Sequence, residues 1–152
     1  MDIGSKHGYP SSALSNFAPH RFVLDGVVCN SVEGWLQSLK FSNPAMQAHI
    51  CSLVGLAAKK AGRKKNWQRN QTLYWQNNLY KRDSQEYQEL LDRAYVALTR
   101  QSESFRTALS ATGDAVLTHS MGRTSEKETI LTQSEFCRRL MSMRKRITIG
   151  MV

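Results

Sequence analysis

Residues 30–41, with the sequence NSVEGWLQSLKF, carry the apolar pattern of a helix that packs against a hydrophobic core. The apolar positions fall at i, i+3, i+4 and i+7, the spacing of a single helix face. They are Val32, Trp35, Leu36 and Leu39. We therefore expect a helix here, and we expect the rest of the chain to be organised around it.

Three polar side chains form a row along the margin of the same face. Glu33, Gln37 and Lys40 lie at i, i+4 and i+7, so a carboxylate, an amide and an amine share one side of the helix. We interpret this row as the floor of a pocket. Two simpler interpretations remain open. Asn30 and Glu33 have the spacing of a capping box, and Lys40 is suited to cover apolar surface with its aliphatic stem.

The remaining sequence predicts a single α+β domain over residues 1–152, mainly helical and with a few short strands. A chain of 152 residues is long enough to bury one core. Asp25-Gly26 is a strong hairpin signal between two β-prone runs, 20–24 and 27–29. Further helices are expected at 43–62, 83–101, 103–109 and 132–146, with a strand at 115–118 and a polar loop at 119–131. Residues 1–12 mix Gly, Ser, Pro and His and are expected to form a loosely ordered arm.

No segment is typical of a membrane protein, a disulfide-rich protein or a metalloprotein. No apolar run approaches the roughly 18 residues of a membrane span, and the first residues lack a basic region followed by an apolar core. The three cysteines are odd in number and far apart, and the four histidines are scattered. We therefore expect no metal, no membrane contact and a reducing, cytoplasmic setting.

The charge of the chain favours a polyanionic partner. Lysine and arginine number 21 against 12 aspartates and glutamates, which gives a formal net charge of +9. The densest basic run comprises Lys59, Lys60, Arg63, Lys64 and Lys65, and it is followed by Trp67, Tyr74, Trp75 and Tyr80. Cations interleaved with aromatic rings suit phosphate neutralisation combined with base stacking. Alternatively, the cations complement the dipole of a helix C-terminus and the aromatic rings belong to the core.

Five short blocks, read together, form a known pattern. They are Leu14-Ser15-Asn16-Phe17, Asp25-Gly26, Ser31-Val32-Glu33, Gln37 and Lys40-Phe41. Supporting blocks follow at 57–62, at Ala111-Thr112-Gly113-Asp114-Ala115 and at Leu140-Met141 with Arg144. The combination resembles the signature of the NADAR (NAD- and ADP-ribose-associated), or YbiA-like, family. The resemblance spans nearly the whole chain, from Leu14 to Arg144.

The sequence departs from the family pattern at three places. Gly34 follows the signature glutamate, where the family commonly has histidine. The family's Trp-Gly loop and Gly-rich, Asn-containing stretch are replaced by residues 121–133. The family tryptophan in the middle of the chain has only Trp75 and Tyr80 as candidates. These departures affect the choice of substrate more than the fold.

The resemblance implies a small, mostly helical α+β domain that acts as an N-glycosidase. Some family members act on phosphoribosylated riboflavin-pathway intermediates, and others remove ADP-ribose from guanine bases in DNA. The family's lysine, which forms an imine with the ribose, corresponds to Lys40, and its glutamate corresponds to Glu33. Substrate contacts are expected from Asn16, Phe17, Gln37, Asp114, Trp75 and Tyr80, and phosphate or DNA contacts from the basic run.

We therefore expect a hydrolase that removes ADP-ribose from modified guanine in DNA through a lysine Schiff base, without a cofactor. Its substrate would be ADP-ribosylated nucleic acid or an ADP-ribose-like nucleotide, and the net charge favours DNA. A phosphoribosylated metabolite is the alternative substrate. A non-catalytic NAD- or ADP-ribose-binding module also stays open, because Gly34 stands where the family has histidine. So does a nucleic-acid-binding domain in which the polar row is structural.

Overall fold

The computed structural model describes all 152 residues, and it confirms a mainly helical α+β fold. The seven helices are α1 (Ser11–Leu14), α2 (Val32–Ser38), α3 (Pro44–Cys51), α4 (Gly55–Gly62), α5 (Gln85–Gln101), α6 (Glu103–Ala111) and α7 (Gln133–Thr148). Four strands form two separate antiparallel hairpins: β1 (Phe22–Leu24) with β2 (Val27–Cys29), and β3 (Thr72–Trp75) with β4 (Asn78–Lys81). No helix combines the length and the apolar content that crossing a bilayer requires.

The longest helix, α5, packs against α6, α7 and β1 and supplies much of the core. Its buried stripe follows the predicted helical period: Tyr87, Leu90, Leu91, Ala94, Tyr95 and Leu98. Helix α7 lies beside it and begins with a capping box. The Thr132 hydroxyl accepts from the Glu135 N–H (3.1 Å), and the Glu135 carboxylate accepts from the Thr132 N–H (2.8 Å).

Helix α2 lies against α3 and α4 and carries its predicted apolar face into the core. Trp35 and Leu39 are completely buried. Trp35 packs edge-to-face on Trp75 of β3, with 6.0 Å between the ring centroids. The Tyr74 N–H donates to the Leu39 carbonyl (2.8 Å), which ties the second hairpin to the end of α2. The helix is therefore fixed at both its face and its C-terminal end.

The two hairpins differ in the strength of their turn signals in the sequence. Asp25 and Gly26 form the predicted two-residue turn, both with positive φ (49° and 79°). The sequence does not predict the second hairpin. Its turn residues, Gln76 and Asn77, also have positive φ (46° and 70°) but include no glycine, so the usual signal is missing.

The prediction of one continuous helix over 43–62 is wrong, because this segment forms two helices. Helix α3 ends at Cys51 and α4 begins at Gly55, whose φ is +55°. In the break, the Leu53 carbonyl accepts from the Ser31 hydroxyl (3.0 Å), and the Cys51 carbonyl accepts from the Asn30 N–H (2.8 Å). The chain leaves the helix here because its carbonyls bind the start of α2 instead.

The first residues are not a loose arm. Ile3 is completely buried, and its N–H donates to the Thr118 carbonyl (2.8 Å). The hydroxyl and N–H of Ser120 donate to the Asp2 carboxylate (2.6 and 2.8 Å) and lower the pKa of Asp2 to about 2. The predicted strand at 115–118 is reduced to a single parallel bridge between Asp2 and Thr118.

Candidate active site

Helix α2 begins with a cap that leaves Glu33 free. Ser31 is the N-cap residue, and its hydroxyl accepts from the Gly34 N–H (3.0 Å). The Asn30 side chain donates to the connection between α3 and α4 (2.9 Å). The interpretation of Glu33 as the capping partner of Asn30 is therefore wrong. The Glu33 carboxylate accepts from Gln37 Nε2 instead (2.9 Å).

Glu33 and Gln37 line a cavity of about 260 Å³, which we call the Glu33 cavity. The same side of the cavity includes Asn16, Phe17 and Lys59. The facing wall is formed by the irregular segment 119–131 together with Phe136 of α7. A concave site with several convergent polar groups is the general form of a small-molecule or catalytic site.

The Glu33 carboxyl group is half-buried, and its environment favours the protonated form. Burial raises the pKa of Glu33, while the hydrogen bond from Gln37 and the charges of Lys40 and Lys59 offset only part of this shift. The carboxylic acid therefore persists to a higher pH than that of an exposed glutamate. A group of this kind is suited to donate a proton to a bound molecule.

Lys40 lies two residues beyond the end of α2 and lines a second cavity of about 180 Å³, which we call the Lys40 cavity. Its Nζ donates a long hydrogen bond of 3.4 Å to the Gly62 carbonyl. Burial lowers the pKa of Lys40, and the Glu33 carboxylate opposes this shift only in part. Lys40 is therefore neutral, and hence nucleophilic, at a lower pH than an exposed lysine. The other residues of this cavity are Ser42, Lys65, Asn66, Trp67, Asn70, Thr72 and Tyr74.

Gly62, the last residue of α4, contacts residues of both cavities. Its carbonyl is the partner of Lys40, and a Cβ placed on it would lie 1.8 Å from Gln37 Oε1. A larger residue would therefore displace the Gln37 side chain. Gln37 is buried, and its Oε1 has no hydrogen-bond partner within the protein. This oxygen is enclosed against Gly62, so a ligand hydroxyl reaches it only if the Gln37 side chain turns.

Gly34 also permits a close approach of backbones. A Cβ on Gly34 would lie 2.6 Å from the Leu53 carbonyl oxygen and 2.9 Å from that of Ile50. The packing of α2 against the connection between α3 and α4 therefore requires glycine here. The histidine that the family commonly places at this position has no room in this chain.

Asn16 and Phe17 line the same cavity as Glu33. The Asn16 carbonyl accepts from the Glu33 N–H (2.9 Å), and Asn16 Oδ1 accepts from the Tyr95 hydroxyl (3.0 Å). The first bond fixes the loop that precedes β1 against the start of α2, and the second fixes it against α5. The two residues thus line the Glu33 cavity from a loop whose backbone is fixed by hydrogen bonds.

Three of the predicted substrate contacts lie outside both cavities. Trp75 is completely buried, and its Nε1 donates to Asp25 Oδ2 (2.8 Å) across the two hairpins. Tyr80, on β4, is half-buried and packs against the core. Asp114 is exposed in the turn after α6. The structure therefore does not bring these three side chains to Glu33 and Lys40.

The basic run is divided between the cavities and solvent. Lys59 lines the Glu33 cavity, and Lys65 lines the Lys40 cavity with its Nζ 5.1 Å from the centre of the Phe41 ring. Lys60, Arg63 and Lys64 are exposed on and after the last turn of α4. The charge of the run is thus available to a ligand at two cavities and to a larger anion outside them.

The spacing of residues does not predict the wall at 119–131, although the departure of residues 121–133 from the family pattern marks this region as relevant to substrate choice. This segment supplies His119, Arg123 and Glu128 to the Glu33 cavity. Gly122 is a second signal in the sequence. A Cβ there would lie 2.5 Å from His119 Cδ2 and 3.0 Å from Gln133 Cγ, so the tight turn after His119 requires glycine.

The wall is irregular but well supported by regular elements. The Tyr87 hydroxyl of α5 donates to the Ile130 carbonyl (2.6 Å), and Gln71 Nε2 donates to the Lys127 carbonyl (3.0 Å). Buried backbone groups outside helices and strands need such partners. Nowhere does the structure gather three or more His, Cys, Asp or Glu side chains as a metal site.

The fold is that of a YbiA-like protein. The NMR structure of the E. coli protein YbiA matches with a TM-score of 0.63, over 99% of this chain and 85% of that chain. The sequence identity is 19%, so this likeness establishes the fold alone. The YbiA-like fold expected from the signature blocks is confirmed.

Sequence comparison identifies a phage family. The model of the Bacteriophage protein GP30.3 family matches residues 8–145, and the chain belongs to this family. A relative from enterobacteria phage T4, described as an uncharacterized 17.1 kDa protein in the Gp30-rIII intergenic region, is 41% identical over 140 residues. That match covers 90% of this chain and 91% of the relative.

Proposed function

We propose that the protein is an N-glycosidase that removes ADP-ribose from modified guanine in DNA, with Lys40 as nucleophile and Glu33 as proton donor. One arrangement carries the proposal: contacts through Gln37 and Gly62 link Glu33 to Lys40, and burial raises the pKa of Glu33 and lowers the pKa of Lys40. Each shift favours the neutral form, so a carboxylic acid and a free amine coexist more readily than in water. An acid beside an amine nucleophile is what imine chemistry at a sugar carbon requires.

The proposed reaction is a ring opening followed by an amine exchange. Glu33 protonates the ring oxygen of the ribose, and the C1′–O bond breaks as the guanine nitrogen forms a double bond to C1′. Neutral Lys40 adds to C1′, a proton passes from its Nζ to the guanine nitrogen, and guanine leaves as the free amine. Water then adds to C1′ of the lysine imine, Lys40 departs, and the remaining proton returns to Glu33. One water is consumed, ADP-ribose is released, and the unmodified guanine remains in the DNA strand.

The contacts of Lys40 and Gln37 support this assignment. The bond from Lys40 Nζ to the Gly62 carbonyl is long (3.4 Å), so the amine can turn toward C1′ at little cost. Gln37 Nε2 donates to the Glu33 carboxyl group and so fixes its position. Contacts through Gln37 and Gly62 thus link the acid of one cavity to the amine of the other.

The choice of DNA rests on charge. The chain carries a formal net charge of +9, and Lys60, Arg63 and Lys64 are exposed outside both cavities. Neutralisation of phosphates by such a cluster supplies most of the affinity in non-specific DNA binding. A phosphoribosylated metabolite is the second candidate substrate. It is favoured by one observation: Trp75 and Tyr80, expected to stack on bases, line neither cavity.

The test is release of ADP-ribose from a DNA oligonucleotide that carries ADP-ribosylated guanine, with a phosphoribosylated riboflavin-pathway intermediate assayed in parallel. We expect turnover of the oligonucleotide, and we expect Lys60→Glu plus Lys64→Glu to reduce it about tenfold at low salt and to flatten its salt dependence. The matched control, Lys6→Glu plus Lys81→Glu, makes the same change in net charge at exposed lysines outside the run. Hydrolysis of the metabolite alone would favour the second candidate, and binding without release from either would contradict an enzyme.

A further inference from the structure

We propose that the Lys40 cavity is the subsite for the leaving nucleobase, and that the Glu33 cavity receives the ribosyl phosphate end of the substrate. This inference rests on the proposed N-glycosidase function and adds the direction in which the substrate lies between the two cavities. It assigns recognition of the base chiefly to Asn66 and Asn70, which neither the sequence pattern nor the family resemblance singles out.

The wall of the Lys40 cavity has the chemistry of a base-binding site. Asn66 and Asn70 contribute amides, which can donate and accept, and Tyr74 contributes a hydroxyl. The edges of guanine present donors and acceptors side by side, and amide side chains match such edges. Trp67 also borders the cavity, but its ring is buried in the hydrophobic core, so the two amides and the Tyr74 hydroxyl carry the recognition.

The Glu33 cavity has a different composition, and it suits a phosphate. Lys59 and Arg123 supply cations from α4 and from the 119–131 wall. The ion pair of Arg123 with Glu128 is loose, with 3.7 Å between the charged atoms, and both side chains are well exposed. Such a pair rearranges at low cost, so Arg123 can exchange its carboxylate partner for a phosphate.

A continuous chain of contacts joins the two cavities. Gln37 Nε2 lies 2.9 Å from Glu33 Oε1, Gln37 packs against Gly62, and the Gly62 carbonyl lies 3.4 Å from Lys40 Nζ. A ribose that reaches both Glu33 and Lys40 would therefore have its ring oxygen on the Glu33 side and its C1′ on the Lys40 side. In an amine exchange both nitrogens are bonded to C1′ at once, so the base must lie on the Lys40 side.

The sizes of the cavities agree with this division. They measure about 260 and 180 Å³. Pockets that enclose a whole drug-sized ligand start at roughly 300 Å³. An ADP-ribosylated base is larger than either cavity, and it must extend over both.

The experiment uses two fragments as probes of the intact protein, guanosine and ribose 5-phosphate, followed by amide, indole and side-chain NMR shifts. We expect guanosine to shift the Trp67 indole N–H and the amide of Asn70, and ribose 5-phosphate to shift the backbone around Arg123. Asn70→Ala should weaken guanosine binding about tenfold, because one pair of hydrogen bonds is lost. The matched control Asn78→Ala, at an exposed asparagine of β4, should leave it unchanged. Arg123→Ala should weaken ribose 5-phosphate alone, again about tenfold.

Guanosine shifts around Arg123, or none in the Lys40 cavity, would overturn the assignment, as would equal affinities for Asn70→Ala and Asn78→Ala. The readout is binding and not turnover, so it is independent of the proposed catalysis. Guanosine binding at Lys40 without any imine would contradict the enzyme and keep the base subsite. An imine on Lys40 without guanosine binding in the Lys40 cavity would support the enzyme and overturn the base subsite.

Discussion

The ion pair of Arg82 with Glu135 and the two candidate catalytic residues, Glu33 and Lys40, all remove ionisable groups partly or wholly from water, but they are built in opposite ways. Arg82 is completely buried, and its guanidinium donates two hydrogen bonds to the Glu135 carboxylate (3.1 and 2.6 Å). Gln88 Nε2 donates a third to the same carboxylate (2.6 Å). Glu33 and Lys40, by contrast, are half-buried, and Lys40 has only its long bond to backbone.

This difference in pairing shifts the pKa values of the two glutamates in opposite directions. Burial acts to raise the pKa of Glu135, but hydrogen bonds from Arg82, the Thr132 N–H and Gln88 outweigh it and hold the pKa below its usual value. The pKa of Glu33 is raised, because burial outweighs its few partners. A charge that is fully paired serves to fix the fold, whereas incompletely paired groups remain available to a ligand.

The largest effect is expected from Lys40→Ala. Loss of the nucleophile removes the covalent route, so kcat should fall at least ~10³-fold. The melting temperature should change little, because Lys40 contributes one long hydrogen bond. Steady-state kinetics and thermal unfolding of the same preparation check both statements. Activity within tenfold of wild type would exclude Lys40 as the nucleophile.

The second effect concerns stability at the fully paired cluster. Arg82→Met leaves the buried Glu135 carboxylate unpaired, so the free energy of unfolding should fall by about 3–5 kcal/mol. The control is Arg93→Met. Arg93 pairs with Asp25 at 2.9 Å, but both side chains are exposed by 40% or more, so about 0.2–1 kcal/mol is expected. Urea unfolding measures both, and equal losses would contradict the comparison.

A smaller effect on activity is expected from Glu33→Gln. The amide cannot give a proton to the ribose ring, so kcat should fall about 10²-fold while KM changes little. Glu89→Gln, at an exposed glutamate of α5, is the matched control and should leave kcat and KM unchanged. An unchanged kcat for Glu33→Gln would show that another group supplies the proton.

The smallest effect is a difference in pH dependence between the two glutamates. The folded-state pKa of Glu33 lies above the usual value of 4.5, so its contribution to stability is present below that pH and is lost as pH rises through the folded-state pKa. Glu33→Gln should therefore gain stability over wild type as pH rises. The pKa of Glu135 is lowered, so its contribution is present above 4.5 and is lost as pH falls through the folded-state pKa.

Urea unfolding of the wild type, Glu33→Gln and Glu135→Gln between acid and neutral pH measures these trends. The stability advantage of wild type over Glu135→Gln should shrink in acid, whereas that over Glu33→Gln should shrink toward neutral pH. Two differences that change in the same direction would contradict the contrast between the clusters.

The local signals of the sequence predict the parts of the fold that depend on local physics. The stripe of α5, the face of α2, the Asp25-Gly26 turn and the capping box of α7 are all present. The break between α3 and α4 could not be predicted, because hydrogen bonds from Asn30 and Ser31 in a distant segment cause it. The burial of Ile3 likewise depends on a partner more than 100 residues away.

The same limit applies to the site. The contact of Glu33 with Gln37 follows from their i, i+4 spacing on a helix. Lys40 departs from that row because α2 ends at Ser38, a boundary that the pattern does not mark. The facing wall could not be found from spacing, because segment 119–131 reaches the cavity only through tertiary hydrogen bonds. Trp75 was misplaced for the related reason that its burial depends on the unpredicted second hairpin.

Borohydride trapping is the most direct test of the central claim, that Lys40 forms a covalent imine with the sugar. Wild type, Lys40→Ala and the exposed-lysine control Lys6→Ala are incubated with the ADP-ribosylated oligonucleotide, reduced, digested and mapped by mass spectrometry. The account predicts an ADP-ribosyl adduct on Lys40 in wild type and in Lys6→Ala, and none in Lys40→Ala. An adduct on another lysine, or unmodified guanine restored in the oligonucleotide by wild type without any adduct, would contradict it.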